Sequence, residues 1–150
     1  MNWSEFRMAN VILLVEDNED HAEMVMQSFD DETTVKEIYW VKDGQEAIDF
    51  LQRKGKHADA PRPNLILLDL NLPKANGLEV LQLIKRDDDL KIIPVVMLTT
   101  SDRNDEILEC YRLGVNSFIT KPIKFDEYYD TLHSLERYWL STNREPSPAH

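Results

Sequence analysis

Five short aliphatic runs, each followed by a helical pattern, constrain the fold of this chain more than any other feature of its sequence. The runs are VILLV at 11–15, EIYWV at 37–41, LILLD at 65–69, VVMLT at 95–99 and SFIT at 117–120. Nearly continuous apolar runs of this length are typical of strands that are buried on both faces, as in a parallel sheet.

Apolar residues recur with helical spacing between and after these runs. The stripes are Ala22, Val25, Met26 and Phe29; Ala47, Ile48 and Leu51; Leu78, Leu81 and Ile84; Ile107, Leu108 and Tyr111; and a longer one from Phe125 to Trp139. Five strands that alternate with five helices predict βαβ units with right-handed crossovers. We therefore expect an α/β fold, a (βα)5 doubly wound five-stranded parallel sheet with helices on both faces.

Composition narrows the class of protein further. The 150 residues, 42% of them hydrophobic, suit one well-buried domain. A formal net charge of −11 repels phosphate backbones and anionic lipids, so we expect no direct binding of nucleic acid or membranes. The sequence shows no signal peptide and no run of spanning length, and it contains one cysteine, Cys110, which we place in the core. We expect a cytoplasmic protein.

The ends of the chain differ from its middle. We expect an N-terminal extension at 1–9, a single domain at 10–140 and no output domain. The final stretch STNREPSPAH, at 141–150, lacks an apolar pattern, which predicts a disordered tail.

Chemically distinctive side chains stand where the predicted strands end. Glu16 and Asp17 follow the first strand, Asp69 the third and Thr99 the fourth, while Lys121 follows the fifth. Since the carboxyl ends of parallel strands meet at one edge, we expect these side chains to converge. Taken alone, Glu16 and Asp17 could equally serve as a helix cap.

Converging carboxylates repel each other, so one must be protonated or a cation must lie among them. Oxygen ligands suit Mg²⁺, for which Mn²⁺ could substitute. Asp17 and Asp69 are the predicted direct ligands, and Glu16 could bind directly or through a water molecule. Lys121 and Thr99 could bind phosphoryl oxygens.

Together these features resemble the receiver domain of two-component response regulators, a flavodoxin-like fold. The resemblance rests on Glu16-Asp17, on Asp69 in LILLDLNLPKANG, on Thr99 after PVVML and on Lys121-Pro122, and it covers roughly residues 10–140. It implies that a histidine kinase phosphorylates Asp69 with the help of Mg²⁺. It implies a signalling protein, not an enzyme, that assists its own phosphoryl transfer and dephosphorylation.

Further site features follow from the resemblance alone. The backbone carbonyl of Asn71 is expected to bind the metal, and the Lys121–Pro122 peptide bond to be cis. Thr99 and Phe118 are the expected switch residues, with Thr100 affecting access to the phosphoryl group. The surface from the fourth helix to the fifth would carry the signal.

The stretches VILLVEDNEDHAEMV and IPVVMLTTSD look most like the stand-alone regulators of cyanobacterial phytochromes, which implies a light-regulated kinase as phosphodonor. Output would then require a separate partner, a phosphoryl relay or self-association. The last helix is rich in aromatic residues, which are enriched at interfaces. We expect a homodimer built on this helix and nearby surface, through Phe125, Tyr128, Tyr138 and Trp139.

Three alternatives remain open at this point. A phosphatase of the haloacid dehalogenase type also uses an aspartate nucleophile, but it needs a second aspartate where this chain has Asn71. A flavodoxin-like FMN-binding protein would need a first loop that cradles phosphate, which EDNED would repel. A degenerate receiver would act only as a binding module.

The four histidines lack metal-ligand spacing, and we expect them to be surface residues: His21, His57, His133 and His150.

Overall fold

The structure is a computed structural model, and it describes residues 9–146. The predicted extension at 1–9 therefore lies outside the described residues except for residue 9, as do residues 147–150 of the tail. Strands and helices alternate in the order β1 (Asn10–Val15), α1 (Glu19–Ser28), β2 (Lys36–Val41), α2 (Gly44–Gln52), β3 (Leu65–Leu68), α3 (Gly77–Arg86), β4 (Val95–Thr99), α4 (Asn104–Leu113), β5 (Ser117–Thr120) and α5 (Phe125–Arg137).

The five strands form one parallel sheet in the order β2-β1-β3-β4-β5. This arrangement confirms the predicted (βα)5 fold. The chain runs from β1 outward to β2 and then returns to place β3 on the other side of β1. The strand order therefore reverses between β1 and β3, where the register pairs Val15 with Leu68. Open parallel sheets bind ligands at the crevice beyond such a reversal.

Two hydrophobic clusters cover the two faces of the sheet. One lies under α2, α3 and α4 and includes Leu13, Ile66 and Leu81. The other lies under α1 and α5 and includes Ile12 and Leu132. Because successive side chains of a strand point to opposite faces, each central strand contributes to both clusters. Burial on both faces explains why the strand sequences are almost continuously apolar.

Polar side chains cap the first three helices. The caps are Asn18 for α1, Asp43 for α2 and Asn76 for α3. Each accepts a hydrogen bond of 2.7–3.0 Å from the backbone N–H three residues later, which satisfies a group that the helix leaves unpaired. The side chain that caps α1 is thus Asn18, and not Glu16 or Asp17.

Helix α4 is less buried than its apolar stripe predicted. Leu108 and Tyr111 are exposed, while Cys110 is fully buried, as we expected of the cysteine. The helix contacts the sheet through a narrow line of residues, so the wider apolar stripe extends onto the surface.

None of the helices within residues 9–146 combines the length and apolar character required to cross a bilayer.

The segment after α5 continues as a short helical turn and contacts the sheet edge. Residues 138–142 form one turn of π-helix, and the carboxylate of Glu145 accepts a hydrogen bond of 3.1 Å from the Asn64 side chain. Asn64 also donates to the Asn10 side chain at 2.9 Å, at the amino ends of β1 and β3. Part of the tail thus has a polar contact at the sheet edge, while the predicted disorder of residues 141–150 stays a prediction.

Gly77 lets α3 start close against the end of β3. Its N–H donates to the Leu70 carbonyl at 2.8 Å. A Cβ at this position would lie 2.3 Å from the Asp69 carbonyl oxygen and 2.7 Å from the Leu70 Cα, both far shorter than van der Waals contact. Only a glycine permits this approach, which holds the segment that contains Asp69 between strand and helix.

We expect Gly77→Ala to lower the free energy of unfolding by about 1–3 kcal/mol, because the added methyl group must displace backbone. Urea denaturation followed by circular dichroism measures this change. The matched control is Glu79→Ala, which changes an exposed residue in the same helical turn and should cost about 0.5 kcal/mol or less. Equal stability of the two variants would show that the helix can shift away from β3 without penalty.

Candidate functional site

Acidic side chains converge at the crevice between β1 and β3. Glu16 and Asp17 directly follow β1, and Asp69 directly follows β3. The Asp69 N–H donates to the Val15 carbonyl at 3.1 Å and so continues the pairing of the two strands. One oxygen from each of the three carboxylates lies within 4.8 Å of the others. The structure thus brings together the three acids that the sequence placed at separate strand ends.

The three carboxylates differ in their exposure to solvent. Glu16 is only 3% exposed and Asp69 only 8% exposed, whereas Asp17 is exposed. Both oxygens of Glu16 are engaged, because Oε1 accepts from Lys121 and Oε2 accepts from the Asn18 N–H at 3.1 Å. The site therefore has a buried floor and an open side at Asp17, through which a small ion or a phosphoryl group can enter.

Lys121 is the positive group of the site. Its ammonium donates to Glu16 and, at 3.1 Å, to Oδ2 of Asp69, and its side chain is buried. The Lys121 backbone N–H donates to the Thr99 carbonyl at 2.7 Å, which continues the pairing of β4 with β5 beyond the last paired residues. Strand geometry therefore carries the lysine to the two buried carboxylates.

Negative charge exceeds positive charge in this crevice. Burial raises the pKa of Glu16 to about 7; the Lys121 ammonium opposes this shift, while the nearby Asp69 carboxylate adds to it. When Glu16 is ionised together with Asp17 and Asp69, the three carboxylates and one ammonium carry two surplus negative charges, which a divalent cation would neutralise. The hard oxygen donors of Glu16, Asp17 and Asp69 and their mutual distances fit such an ion.

Asn71 and Thr99 border the site. The Asn71 N–H donates to Oδ1 of Asp69 at 3.2 Å, so the loop after β3 folds around the carboxylate. Thr99 is fully buried at the end of β4, and its Oγ1 accepts from the Ser101 N–H at 3.3 Å. This bond uses a lone pair and leaves the hydroxyl hydrogen for an incoming acceptor. Thr100 is exposed.

Phe118 lies apart from the carboxylates. It is half-buried in β5 and packs against the cluster under α2, α3 and α4. The structure thus gives Phe118 a core contact, while its predicted part in a switch stays a prediction.

The Lys121–Pro122 peptide bond is trans, and no cis bond occurs among residues 9–146. The cis geometry that the resemblance implied is therefore wrong for this structure. The trans form is the lower in free energy for a bond that precedes proline, by about 0.5–1 kcal/mol. With this bond trans, the lysine already reaches both Glu16 and Asp69.

The aromatic residues of α5 and of the π-helical turn after it do not form one continuous surface. Phe125 is 68% exposed and Tyr138 is 49% exposed, but Tyr128 is only 3% exposed. Tyr128 and Leu132 are four residues apart, so they share the helix face that packs on the sheet. Trp139 is half-buried against the same cluster. The assignment of Tyr128 to a dimer interface was therefore wrong.

Two residues of the site were not predicted from the sequence. The Nδ1 atom of His21 lies 3.0 Å from the Lys121 ammonium, although we expected His21 to be an ordinary surface residue. Burial and the Lys121 charge lower the pKa of His21. The Trp40 indole N–H donates to the Glu16 carbonyl at 2.7 Å. For His21 a signal existed, since it lies in the first turn of the helix that follows the acidic pair.

Comparison with known proteins identifies the family. The model of the response regulator receiver domain matches residues 12–133. Response regulator Rcp1 of Synechocystis sp. is 44% identical over 137 residues, which cover 91% of this chain and 93% of Rcp1. The probable methanogenesis regulatory protein FilR2 of Methanothrix harundinacea is 43% identical over 139 residues, which cover 93% of this chain and 89% of FilR2.

Solved structures agree with the sequence relatives. The Mn²⁺-bound form of Rcp1 superposes with a TM-score of 0.89 at 43% identity, covering 92% of this chain and 99% of that one. The phosphorylated cyanobacterial phytochrome response regulator RcpA superposes with a TM-score of 0.90 at 44% identity, covering 93% and 99%. The matched range contains Glu16, Asp17, Asp69, Thr99 and Lys121. This chain is a member of the response regulator receiver family.

Proposed function

We propose that this protein accepts a phosphoryl group from a histidine kinase on Asp69, in a Mg²⁺-dependent reaction, and signals through the conformational change that follows. The observation that carries the proposal is the convergence of Glu16, Asp17 and Asp69 within 4.8 Å, with the Lys121 ammonium between the two buried acids. Family membership disfavours the haloacid dehalogenase and flavodoxin alternatives, which belong to other families.

Each residue of the site has its own role in the phosphoryl transfer. An oxygen of Asp69 forms a bond to phosphorus while the bond between phosphorus and the kinase histidine nitrogen breaks. Lys121 already bonds Asp69, so its ammonium can move to an oxygen of the arriving phosphoryl group over a short distance. The Thr99 hydroxyl donates to a second oxygen. The buried floor of the site keeps Asp69 and Lys121 in position for this exchange.

A divalent ion would be held by Asp17 and Asp69, with the Asn71 backbone carbonyl as a further ligand. Glu16, which is nearly buried and bonded to Lys121 and to the Asn18 N–H, would bind the ion through a water molecule. When bound, Mg²⁺ supplies charge neutralisation for the transferred oxygens. The Mn²⁺-bound structure of Rcp1, at 43% identity, supports a metal site and the substitution of Mn²⁺ for Mg²⁺.

The signal would leave the site through β4 and β5. Phosphorylation adds about two negative charges and three acceptor oxygens, which draw the Thr99 hydroxyl toward Asp69. Phe118, two residues before the end of β5, repacks in response, and the exposed Thr100 controls access to the phosphoryl group. The exposed Leu108 and Tyr111 of α4 lie on the surface that a partner protein would bind.

The proposed phosphodonor is a phytochrome-type histidine kinase in the cytoplasm. RcpA, which is 44% identical over nearly the whole chain, is described as a cyanobacterial phytochrome response regulator, and its structure is phosphorylated. This similarity supports the same class of kinase for this protein.

Wild-type protein incubated with Mg²⁺ and acetyl phosphate should form an alkali-labile acyl phosphate, and Asp69→Asn should form none, because an amide cannot attack phosphorus. Intact-protein mass spectrometry before and after alkali measures the product. The matched control is Asp88→Asn, which alters a surface carboxylate and should leave the label unchanged.

The same variants test the phosphodonor. A phytochrome histidine kinase should label wild type and Asp88→Asn but not Asp69→Asn. Label on Asp69→Asn would place the acceptor elsewhere. A wild-type protein that neither acetyl phosphate nor the kinase labels would favour a receiver that acts only as a binding module.

We expect Mg²⁺ to raise the thermal midpoint of the wild-type protein over its value in EDTA, since the ion binds the folded state. The stabilisation is about 2.7 kcal/mol at a concentration 100 times the dissociation constant. Asp17→Asn should lose most of this gain yet be at least as stable as wild type in EDTA, because it removes one of three repelling carboxylates. Differential scanning calorimetry measures both effects, and an undiminished gain in Asp17→Asn would exclude it as a ligand.

The proposal includes a homodimer through the last helix and nearby surface, without Tyr128. The exposed Phe125 and Tyr138 and the half-buried Trp139 support it, since aromatic residues are enriched at interfaces. Sedimentation velocity should show a dimer that the double substitution of Phe125 and Tyr138 to serine converts to a monomer. A wild-type monomer both with and without the phosphoryl analogue beryllofluoride would contradict the dimer.

A further inference from the structure

The head group of Lys121 has three partners. Its Nζ atom contacts Glu16 Oε1, Asp69 Oδ2 at 3.1 Å and His21 Nδ1 at 3.0 Å. A protonated lysine carries three N–H donors and no acceptor, so these three contacts use its full bonding capacity. His21 must therefore accept through Nδ1, and its hydrogen resides on Nε2.

His21 is held in this position from two sides. Its backbone N–H donates to the Asn18 side chain at 3.0 Å, which ties it to the first turn of α1. Its ring meets the ring of the buried Tyr128 on α5 edge to face, with centroids 6.4 Å apart and planes at 77°. The imidazole thus stands at the junction of α1 and α5, beside the open side of the site.

The three partners of Lys121 are not equivalent. Glu16 and Asp69 are carboxylates that attract the ammonium by charge, whereas the imidazole of His21 accepts a hydrogen bond without adding a negative charge. When Asp69 becomes bonded to phosphorus it loses its own charge, and the lysine must turn one N–H to a phosphoryl oxygen. Glu16 and His21 are then the two protein partners that remain.

We propose that His21 is a positioning residue for Lys121: its Nδ1 atom holds one N–H of the ammonium while a second N–H passes from Asp69 to the phosphoryl group. This inference rests on the proposed function. A carboxylate in place of His21 would draw the lysine away from the phosphoryl oxygens, and an apolar side chain would leave the ammonium with one anchor only. The neutral acceptor avoids both effects.

Two substitutions separate the acceptor atom from the bulk of the side chain. In His21→Asn, the amide oxygen is attached to Cγ, as Nδ1 is in histidine, so an acceptor is retained at nearly the same place. His21→Leu places a methyl group there and removes the acceptor. The matched control is His133→Leu, the same change at a partly exposed histidine that pairs with Asp30.

The first measurement is the initial rate of acyl phosphate formation with acetyl phosphate and Mg²⁺. His21→Leu should be slower than wild type by about threefold to tenfold, as expected for the loss of one typical intramolecular hydrogen bond. His21→Asn should stay within about twofold of wild type, and His133→Leu should match it. Thermal midpoints in EDTA establish that all variants are folded.

The second measurement does not depend on phosphorylation. In EDTA, an amine-reactive reagent followed by peptide mass spectrometry reports how fast Lys121 is modified. His21→Leu should raise this rate above that of wild type, because the ammonium has lost one of its three partners, whereas His21→Asn should not.

The two measurements separate the possible failures. Wild-type protein that takes no phosphoryl group would end the proposed function, while the labelling of Lys121 would still test its contact with His21. A His21→Leu variant that matches wild type in both measurements would overturn the inference. So would a His21→Asn variant as impaired as His21→Leu, since the ring and not the acceptor would then matter.

Discussion

The ion pair of Lys121 with Glu16 and Asp69 is the interaction on which this site depends. Two nearly buried carboxylates beside a third, Asp17, would repel each other strongly, and an isolated buried carboxylate is costly in free energy. The lysine compensates part of that charge and leaves a surplus that suits a divalent ion. The ammonium takes no part in the hydrogen bonds of the sheet, so it can exchange one partner for another. This remaining negative charge is the feature on which the proposed binding of a divalent cation and the proposed phosphoryl transfer rest.

The sheet keeps this unfavourable arrangement in place. Strands β1 and β3 are buried on both faces, and their pairing continues through the Asp69 N–H to the Val15 carbonyl. The repulsion between carboxylates cannot relax without breaking these contacts. Gly77 adds a second constraint, because it brings α3 against the backbone of Asp69. Paired backbone therefore holds the acids in place, and the side chain of Lys121 bridges two of them.

Prediction from the sequence succeeded where the spacing of apolar residues along the chain determines the local structure. The five strands were predicted within about one residue at each end, because burial on both faces leaves a clear pattern of aliphatic residues. It failed where the outcome depends on contacts between distant segments. The contact of Glu145 with Asn64 joins segments far apart in the chain, and the burial of Tyr128 depends on which face of α5 meets the sheet. The trans bond before Pro122 was missed because a family trait was transferred to this chain.

The sequence by itself determined the fold, the strand ends that carry Glu16, Asp17, Asp69, Thr99 and Lys121, and the resemblance to receivers. These are consequences of local pattern, since hydrophobic period identifies strands and parallel strands present their carboxyl ends at one edge. Only the tertiary structure decided which oxygens face each other, which of the acids are buried, and that His21 contacts Lys121. Those features join residues up to 105 positions apart, and the distance between such side chains is set by packing in three dimensions, which no local pattern records.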